Sequence, residues 1–413
     1  MAMPIVDIEY TDVACIAFFG NLLFEGQELD RVVAVHNVDR DDVAGLLYHL
    51  GIDCPGAVSI TPQGAGPGKR PGQFPQDYEE ITEERLTAMV ASLHFKGRLP
   101  DGSRDPSPVA GVQPKIAVTY IDDKFYLPLK DSRAPTTHIL KVSPKDDTQI
   151  TKHEAAILSI ARQVGIDTTE CTRMVFKDEE TCADIETILS TRFDRTIKTI
   201  DGNIEIRRIH SEDFCQALGL PRNLKYERNS VDPSRKFSMA AVGKLSSATS
   251  KPIAFKMEFL RHILFNLIVG NTDNHAKNAA IIYNGVSGDL APLYDVVPVF
   301  VDTKVTHEFS INIGDAKFAE DLNSAEIQTA LRQLGFKAKG LTNEMRKLVE
   351  KIVSQSIGIL LEEDTKIMAD AMAAQIHVIH MATGWPDVAK PRDFYPRQER
   401  DQNPETHGWP TME

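Results

Sequence analysis

The sequence has no pair of cysteines at C-x-x-C spacing. Its five cysteines, Cys15, Cys54, Cys171, Cys182 and Cys215, are scattered and odd in number. Neither a disulfide framework nor a thiolate zinc site is indicated, and the thiols read as reduced core residues. No apolar run approaches the roughly 18 residues of a membrane-spanning helix, and residues Met1 to Asp7 lack the basic region that opens a secretory signal. The expected location is the cytoplasm. Positive charge is in deficit as well: 46 Lys and Arg stand against 59 Asp and Glu, a formal net charge of -13, which argues against a surface devoted to nucleic acid. Familiar phosphate signatures are missing. No G-x-G-x-x-G occurs, and Gly66-Pro67-Gly68-Lys69-Arg70 fails as a phosphate loop: no glycine lies five before Gly68, no Ser or Thr follows Lys69, and no apolar strand precedes it. It reads as a turn-rich connector within the Gly- and Pro-rich stretch 61–78.

What is present is a chain of 413 residues, 42% hydrophobic, long enough for two or three globular domains. Its most concentrated polar stretch is Asn271-Thr272-Asp273-Asn274-His275-Ala276-Lys277-Asn278. Before it, Phe255, Phe259, Ile263 and Leu267 recur every fourth residue, which predicts a helix stopped at Gly270. After it, Ala279 to Tyr283 predicts a short buried strand. Asp273 and Asn278 have the D-x-x-x-x-N spacing of a kinase catalytic loop, in which Asp takes the proton of the attacking hydroxyl and Asn ligates Mg²⁺. Lys277 adds a cation, and Asp295 in Leu293-Tyr294-Asp295 stands where a kinase carries its second metal-holding carboxylate. Taken alone, the octet reads sooner as a capped helix-to-strand turn.

The rest of the chain supplies context. Residues 1–60 read as a small α+β unit, with Ala14 to Phe19 strand-like. From about residue 107, runs at 116–121, 125–127 and 137–142 predict an antiparallel meander, followed by a helix over 147–164 and strands at 174–176 and 185–193. Lys141 ends the third strand, and Glu154 in the helix is its natural ion-pair partner. Ahead of the meander, Gly111 and Lys115 suit a loop that approaches phosphate, although an ordinary loop has the same composition. Residues 203–210 alternate like a strand, Ser211 is a plausible N-cap for a helix over 214–218, and 220–250 read as a mobile loop. Helices are predicted over 324–334, 342–361 and 364–382. The tail from Gly384, with five prolines, reads as extended or disordered.

Several stretches together resemble the HipA-type serine/threonine kinases, the toxin components of bacterial toxin-antitoxin pairs. They are Asn21 to Gly26, Leu50 to Ala57, Ala110 to Lys115, Thr137 to Lys141, Arg192 to Arg195, Glu212 to Gly219, Lys225-Tyr226-Glu227, the Asp273 octet and Leu293-Tyr294-Asp295. The resemblance implies an α+β fold: a two-lobed kinase core with a β-rich small lobe and a mainly α large lobe, preceded by an α+β subdomain. The expected divisions are 1–100 for that subdomain with its connector, 101–200 for the nucleotide-binding lobe, 201–385 for the catalytic lobe and 386–413 for the tail.

The same resemblance implies ATP as phosphoryl donor with Mg²⁺. Asp273 is then the catalytic Asp, Asn278 and Asp295 hold the metal, and Lys141 contacts phosphate with Glu154 as its ion-pair partner. Ala110, Gly111 and Lys115 belong to the phosphate loop, Thr191 and Phe193 line the adenine hinge, and Lys277 lies beside the nucleotide. An aminoacyl-tRNA synthetase is the implied protein substrate and a helix-turn-helix antitoxin of the HipB type the implied partner, with DNA contacted only through it. Many members carry a self-phosphorylated serine three residues before the glycine matching Gly111. Here that place is Pro108, and Ser107 one step earlier is the candidate substitute. Two other classes stay open at this stage: a catalytically silent corepressor module, and a small-molecule kinase of the same fold.

Overall fold

The computed structural model describes residues 2–388 except 5, 7, 24, 104–110, 112, 286, 303 and 361–365. Ser107, Pro108 and Ala110 therefore lie outside the described residues, as does the tail from residue 389. Near the N-terminus the Thr11 hydroxyl accepts a hydrogen bond from Ala14 N and starts helix α1 (Asp12–Phe19). The run expected as a strand is thus helical: six consecutive apolar residues carry no period, and the cap decides. Helices α2 (Gly26–His36) and α3 (Val43–Leu50) follow, around a small core of Leu22, Leu23, Leu29, Leu46, Leu47 and Cys54. All five cysteines are free, but only Cys54 and Cys215 are buried, so just these two are core thiols.

The small lobe begins earlier than expected. Strand β1 (Gly72–Phe74) is followed by β2 (Tyr78–Glu80), helix α4 (Glu83–Lys96), β3 (Lys115–Ile121), β4 (Lys124–Pro128), β5 (His138–Val142), helix α5 (Ile150–Gln163), β6 (Cys171–Lys177) and β7 (Asp184–Thr191). Six of these strands form one antiparallel sheet in the order β2-β4-β3-β5-β7-β6. Alternate strand residues Ile116, Val118, Leu140, Val142, Ile185 and Leu189 share one core with Leu86, Met89, Val90 and Leu93 of α4. Residues 78–96 therefore belong to this lobe, not to the N-terminal unit that was expected to run to 100. Short β2 escaped notice because three residues carry no readable alternation.

Beyond the sheet, β8 (Arg195–Ile200) and β9 (Asn203–Arg208) form a hairpin joined by β1. Next, β10 (Ser211–Asp213) pairs with a later strand, and Asp213, not Ser211, caps the short helix α6 (Phe214–Ala217) through a reciprocal box with Gln216. Residues 220–250, expected as a mobile loop, carry helix α7 (Met239–Leu245) and bury Phe237, Met239 and Val242 in the large core. Three scattered apolar side chains anchored this polar stretch without creating a periodic pattern. Helix α8 (Pro252–Val269) is the spine of the large lobe: it has eleven buried residues, with its last two turns enclosed on all sides. Strands β11 (Ala280–Asn284) and β12 (Ser287–Leu290) return from it, and helices α9 (Ser324–Gln333), α10 (Asn343–Leu360) and α11 (Lys366–Thr383) complete the lobe. The described part of the tail packs back on α11, where the His380 ring meets Trp385 O at 2.6 Å and Val388 is buried. Among the described residues no helix is long and apolar enough to cross a membrane.

Candidate active site

Helix α8 ends at Gly270, whose φ of 75° is the left-handed conformation that lets the chain leave the helix sharply. A Cβ there would stand 3.0 Å from the Phe300 ring, so both conformation and space ask for glycine. The chain then enters the loop 271–278, whose polar groups are tied at nearly every step. Asn271 Nδ2 donates to Asn266 Oδ1 at 2.8 Å, and Asp273 N donates to Asn271 Oδ1 at 3.2 Å. His275 N and Asn278 Nδ2 both donate to Asp273 O, at 2.8 and 2.9 Å. From outside, the Ser310 hydroxyl donates to Thr272 O at 2.6 Å and the Tyr294 hydroxyl to Lys277 O at 2.9 Å. With its backbone fixed in this way the loop presents a half-buried Asp273 carboxylate and leaves Asn278 Oδ1 as the amide atom available to a cation.

Across from this loop stands a cluster built by the small lobe. Lys141 on β5 donates to Glu154 Oε1 of α5 at 2.7 Å and to Asp295 Oδ1 at 2.6 Å. Glu154 is 1% exposed, so the lysine is clamped between a buried carboxylate and one that faces the cleft. Burial alone would push the Lys141 charge off, but Asp295 and Glu154 hold its pKa above the ordinary value. Burial likewise opposes charge on Asp295, yet Lys141 and Lys115 hold its carboxyl well below the usual range. Asp295 also adopts φ 55°, a left-handed conformation that is uncommon without glycine and gathers at functional sites.

Lys115 faces Lys141 in the β3–β5 register. Burial and then the Lys141 charge pull its pKa down to about 8. Gly111 lies against it: a Cβ on that residue, at φ 119°, would meet Lys115 Nζ. Thr191 ends β7 with its hydroxyl 3.2 Å from His138 Nε2, and the Phe193 ring packs on Tyr294 at 5.2 Å between centroids, next to Asp295. Burial holds the His275 pKa below its ordinary value, with the charges of Asp273 and Asp295 both opposing the shift, and the Tyr294 hydroxyl bond to Lys277 O joins the Asp295 segment to the Asp273 loop. The structure thus brings together Asp273, Asn278, Asp295, Lys141, Glu154, Lys115 and Gly111, with Thr191 and Phe193 at the margin.

Family models match both parts of the chain: the HipA N-terminal domain over residues 1–61 and the HipA-like C-terminal domain over residues 107–356. The chain belongs to the HipA family. Similar proteins include a putative kinase of Sinorhizobium fredii, 29% identical over 86% of this chain and 81% of its own length. Another is the serine/threonine-protein kinase toxin HipA of Shewanella oneidensis, 26% identical over 83% of this chain and 77% of its own. Among solved structures, a chain of the complex of HipA, HipB and operator DNA from Shewanella oneidensis superposes with a TM-score of 0.71 at 23% identity. That match covers 90% of this chain and 86% of the other, and it identifies the α+β, kinase-like fold as that of HipA.

In this HipA-family chain one expected nucleotide ligand is otherwise employed. Lys277 Nζ donates to Asn21 O at 2.7 Å, to Asn21 Oδ1 at 3.4 Å and to Asp213 Oδ2 at 2.9 Å. The side chain is 9% exposed, so it ties the loop to the N-terminal subdomain instead of reaching a phosphate. Sequence reasoning gave no role to Tyr226 and Lys225, which meet the loop, or to Glu25, which pairs with Lys225. They lie in the stretches 21–26 and 225–227 that carried the resemblance, but a spacing rule cannot link residues 200 positions apart.

Proposed function

We propose that this HipA-family protein is an ATP- and Mg²⁺-dependent serine/threonine protein kinase that arrests growth by phosphorylating an aminoacyl-tRNA synthetase. A DNA-binding antitoxin of the HipB type is its proposed partner. The observation that carries the reading is Lys141 bridging Glu154 and Asp295 opposite the Asp273–Asn278 loop. A metal has a suitable donor set here: one carboxylate and one amide oxygen leave room for phosphate oxygens and water, as Mg²⁺ prefers. Among the described residues no cluster of three or more His, Cys, Asp or Glu could form an all-protein metal cage, which suits a cation brought in with a nucleotide. Asp295 and Asn278 would hold Mg²⁺, whose contribution is to offset phosphate charge.

The residues of the chain do the rest. Lys141, fixed by Glu154, and Lys115 lie where they neutralise phosphate oxygens. Asp273 takes the proton of the acceptor hydroxyl as its oxygen bonds to the γ-phosphorus and ADP departs. The acidic balance of the chain, -13 overall, favours contact with DNA through the partner and not directly. Incubating the purified protein with radiolabelled ATP, Mg²⁺ and a translation extract tests the reading: label should enter a synthetase in an Asp273-dependent way. Unlabelled extract, with retained strengthening of an antitoxin's grip on DNA, would identify a silent corepressor instead. Ser107 is proposed as a self-phosphorylation position; an intact mass that is equal for wild type and Asp273→Asn after incubation with ATP would contradict that.

A further inference from the structure

The segment Lys225-Tyr226-Glu227 runs along the catalytic loop as a clamp. Ala276 N donates to Lys225 O at 3.0 Å, Glu227 N donates to Ser310 O at 2.8 Å, and Ser310 in turn holds Thr272 O. Glu227 Oε2 accepts from Asn312 N at 2.7 Å, which fixes the far end. At the near end, Lys225 Nζ donates to Glu25 Oε2 at 2.5 Å, so the N-terminal subdomain anchors the clamp. Between these fixed ends the Tyr226 ring is packed, with the Arg228 guanidinium 4.0 Å from its centroid and the His275 ring edge-on at 5.2 Å. Its hydroxyl donates to Asp273 Oδ1 at 2.7 Å.

A carboxylate that takes a proton has two chemically equal oxygens and turns readily about its last torsion, so its direction has to be set by neighbours. The loop hydrogen bonds fix the Asp273 backbone but do not touch its carboxylate. Resting on the reading of Asp273 as proton acceptor, we infer that Tyr226 is a positioning residue for phosphoryl transfer, engaging one Asp273 oxygen so that the other is presented to the acceptor hydroxyl. Burial and then the Asp273 charge hold the phenol pKa far above its ordinary value, so the tyrosine is a donor throughout the working pH range.

Tyr226→Phe tests this, because the ring and its contacts with Arg228 and His275 remain while the hydroxyl is lost. Phosphoryl transfer by wild type, Asp273→Asn, Tyr226→Phe and the double variant would be measured with the KM for ATP and the melting temperature of each. Tyr226→Phe should lower kcat by about ten- to a hundredfold, as expected for a misdirected reacting group, with KM and melting temperature unchanged. In the Asp273→Asn background it should cause no further loss. A wild-type kcat in Tyr226→Phe, beside an inactive Asp273→Asn, overturns this inference alone. A raised kcat would mean that the hydroxyl obstructs the acceptor place, and a fall that tracks the melting temperature would mean a purely structural role; either overturns it. Absence of transfer by wild type removes the reading of Asp273 and this inference with it.

Discussion

Lys115, proposed above as a phosphate contact, has a pKa near 8, and the two together have a measurable consequence. Without nucleotide the folded protein sheds this proton near pH 8, while the unfolded chain keeps it to about 10.5. Between those values the unfolded chain binds more protons, so the contribution of this group to stability rises with pH. ATP binding runs the other way, because phosphate favours the charged amine. Affinity for ATP should be flat below about pH 7.5 and fall above pH 8 with proton uptake on binding, as calorimetry in buffers of different ionisation enthalpy would detect; Lys115→Met should abolish the slope. That Asp273, Asn278, Asp295 and Lys141 come together was approachable from sequence, because the D-x-x-x-x-N spacing and the order of the motifs in the resemblance single them out; their roles are those proposed above. Lys277 was misread for the opposite reason. Its partners Asn21 and Asp213 are remote in sequence, and nothing local separates a lysine that binds phosphate from one that fastens two domains.

At the scale of elements, the loop is positioned by a helix end on one side and by the 225–227 clamp on the other. Gly270→Ala would force a side chain into a left-handed conformation and against Phe300. The expected loss is about 1–2 kcal/mol of stability, read from denaturant midpoints, with a larger fall in activity than in nucleotide affinity because the loop that follows is displaced. Glu25→Ala removes the anchor of Lys225, a pair with 19% and 12% side-chain exposure. Activity should fall several-fold at unchanged KM for ATP, whereas an unaltered kcat would show that the clamp does not need the N-terminal subdomain. Long periodic helices such as α8 to α11 were legible in the sequence because a 3.6-residue stripe repeats over several turns. Short elements were not: β2 has three residues and takes its form from its pairing with β4, and α1 is apolar after Asp12, so that the Thr11 cap decides its form.

Over the whole molecule, the N-terminal subdomain and the small lobe are joined by a buried charge cluster. Asp53, 1% exposed, lies 3.4 Å from Lys69, 3.5 Å from Arg195 and 3.6 Å from Arg208. Asp53→Ala takes the carboxylate from Lys69 and Arg208 in a desolvated place and leaves Arg195 with Asp194 alone; it should cost about 3–5 kcal/mol, measured by urea unfolding, whereas an exposed pair such as Lys124–Glu80 should cost under about 1 kcal/mol. The start of the small lobe near residue 78 could not be read from the Gly- and Pro-rich connector, because Lys69 and Arg70 within it are fastened to Ala134 O and Ser132 O of the small lobe. In the proposed function one site between the lobes holds nucleotide with metal through Asp295 and Asn278 and turns it over through Asp273. Calorimetric titration with ATP, with and without Mg²⁺, on wild type, Asp295→Ala and Asp273→Asn tests it most directly. Binding should depend on Mg²⁺ in wild type and Asp273→Asn and lose that dependence in Asp295→Ala; equal metal dependence in all three would contradict the assignment of Asp295 to the metal.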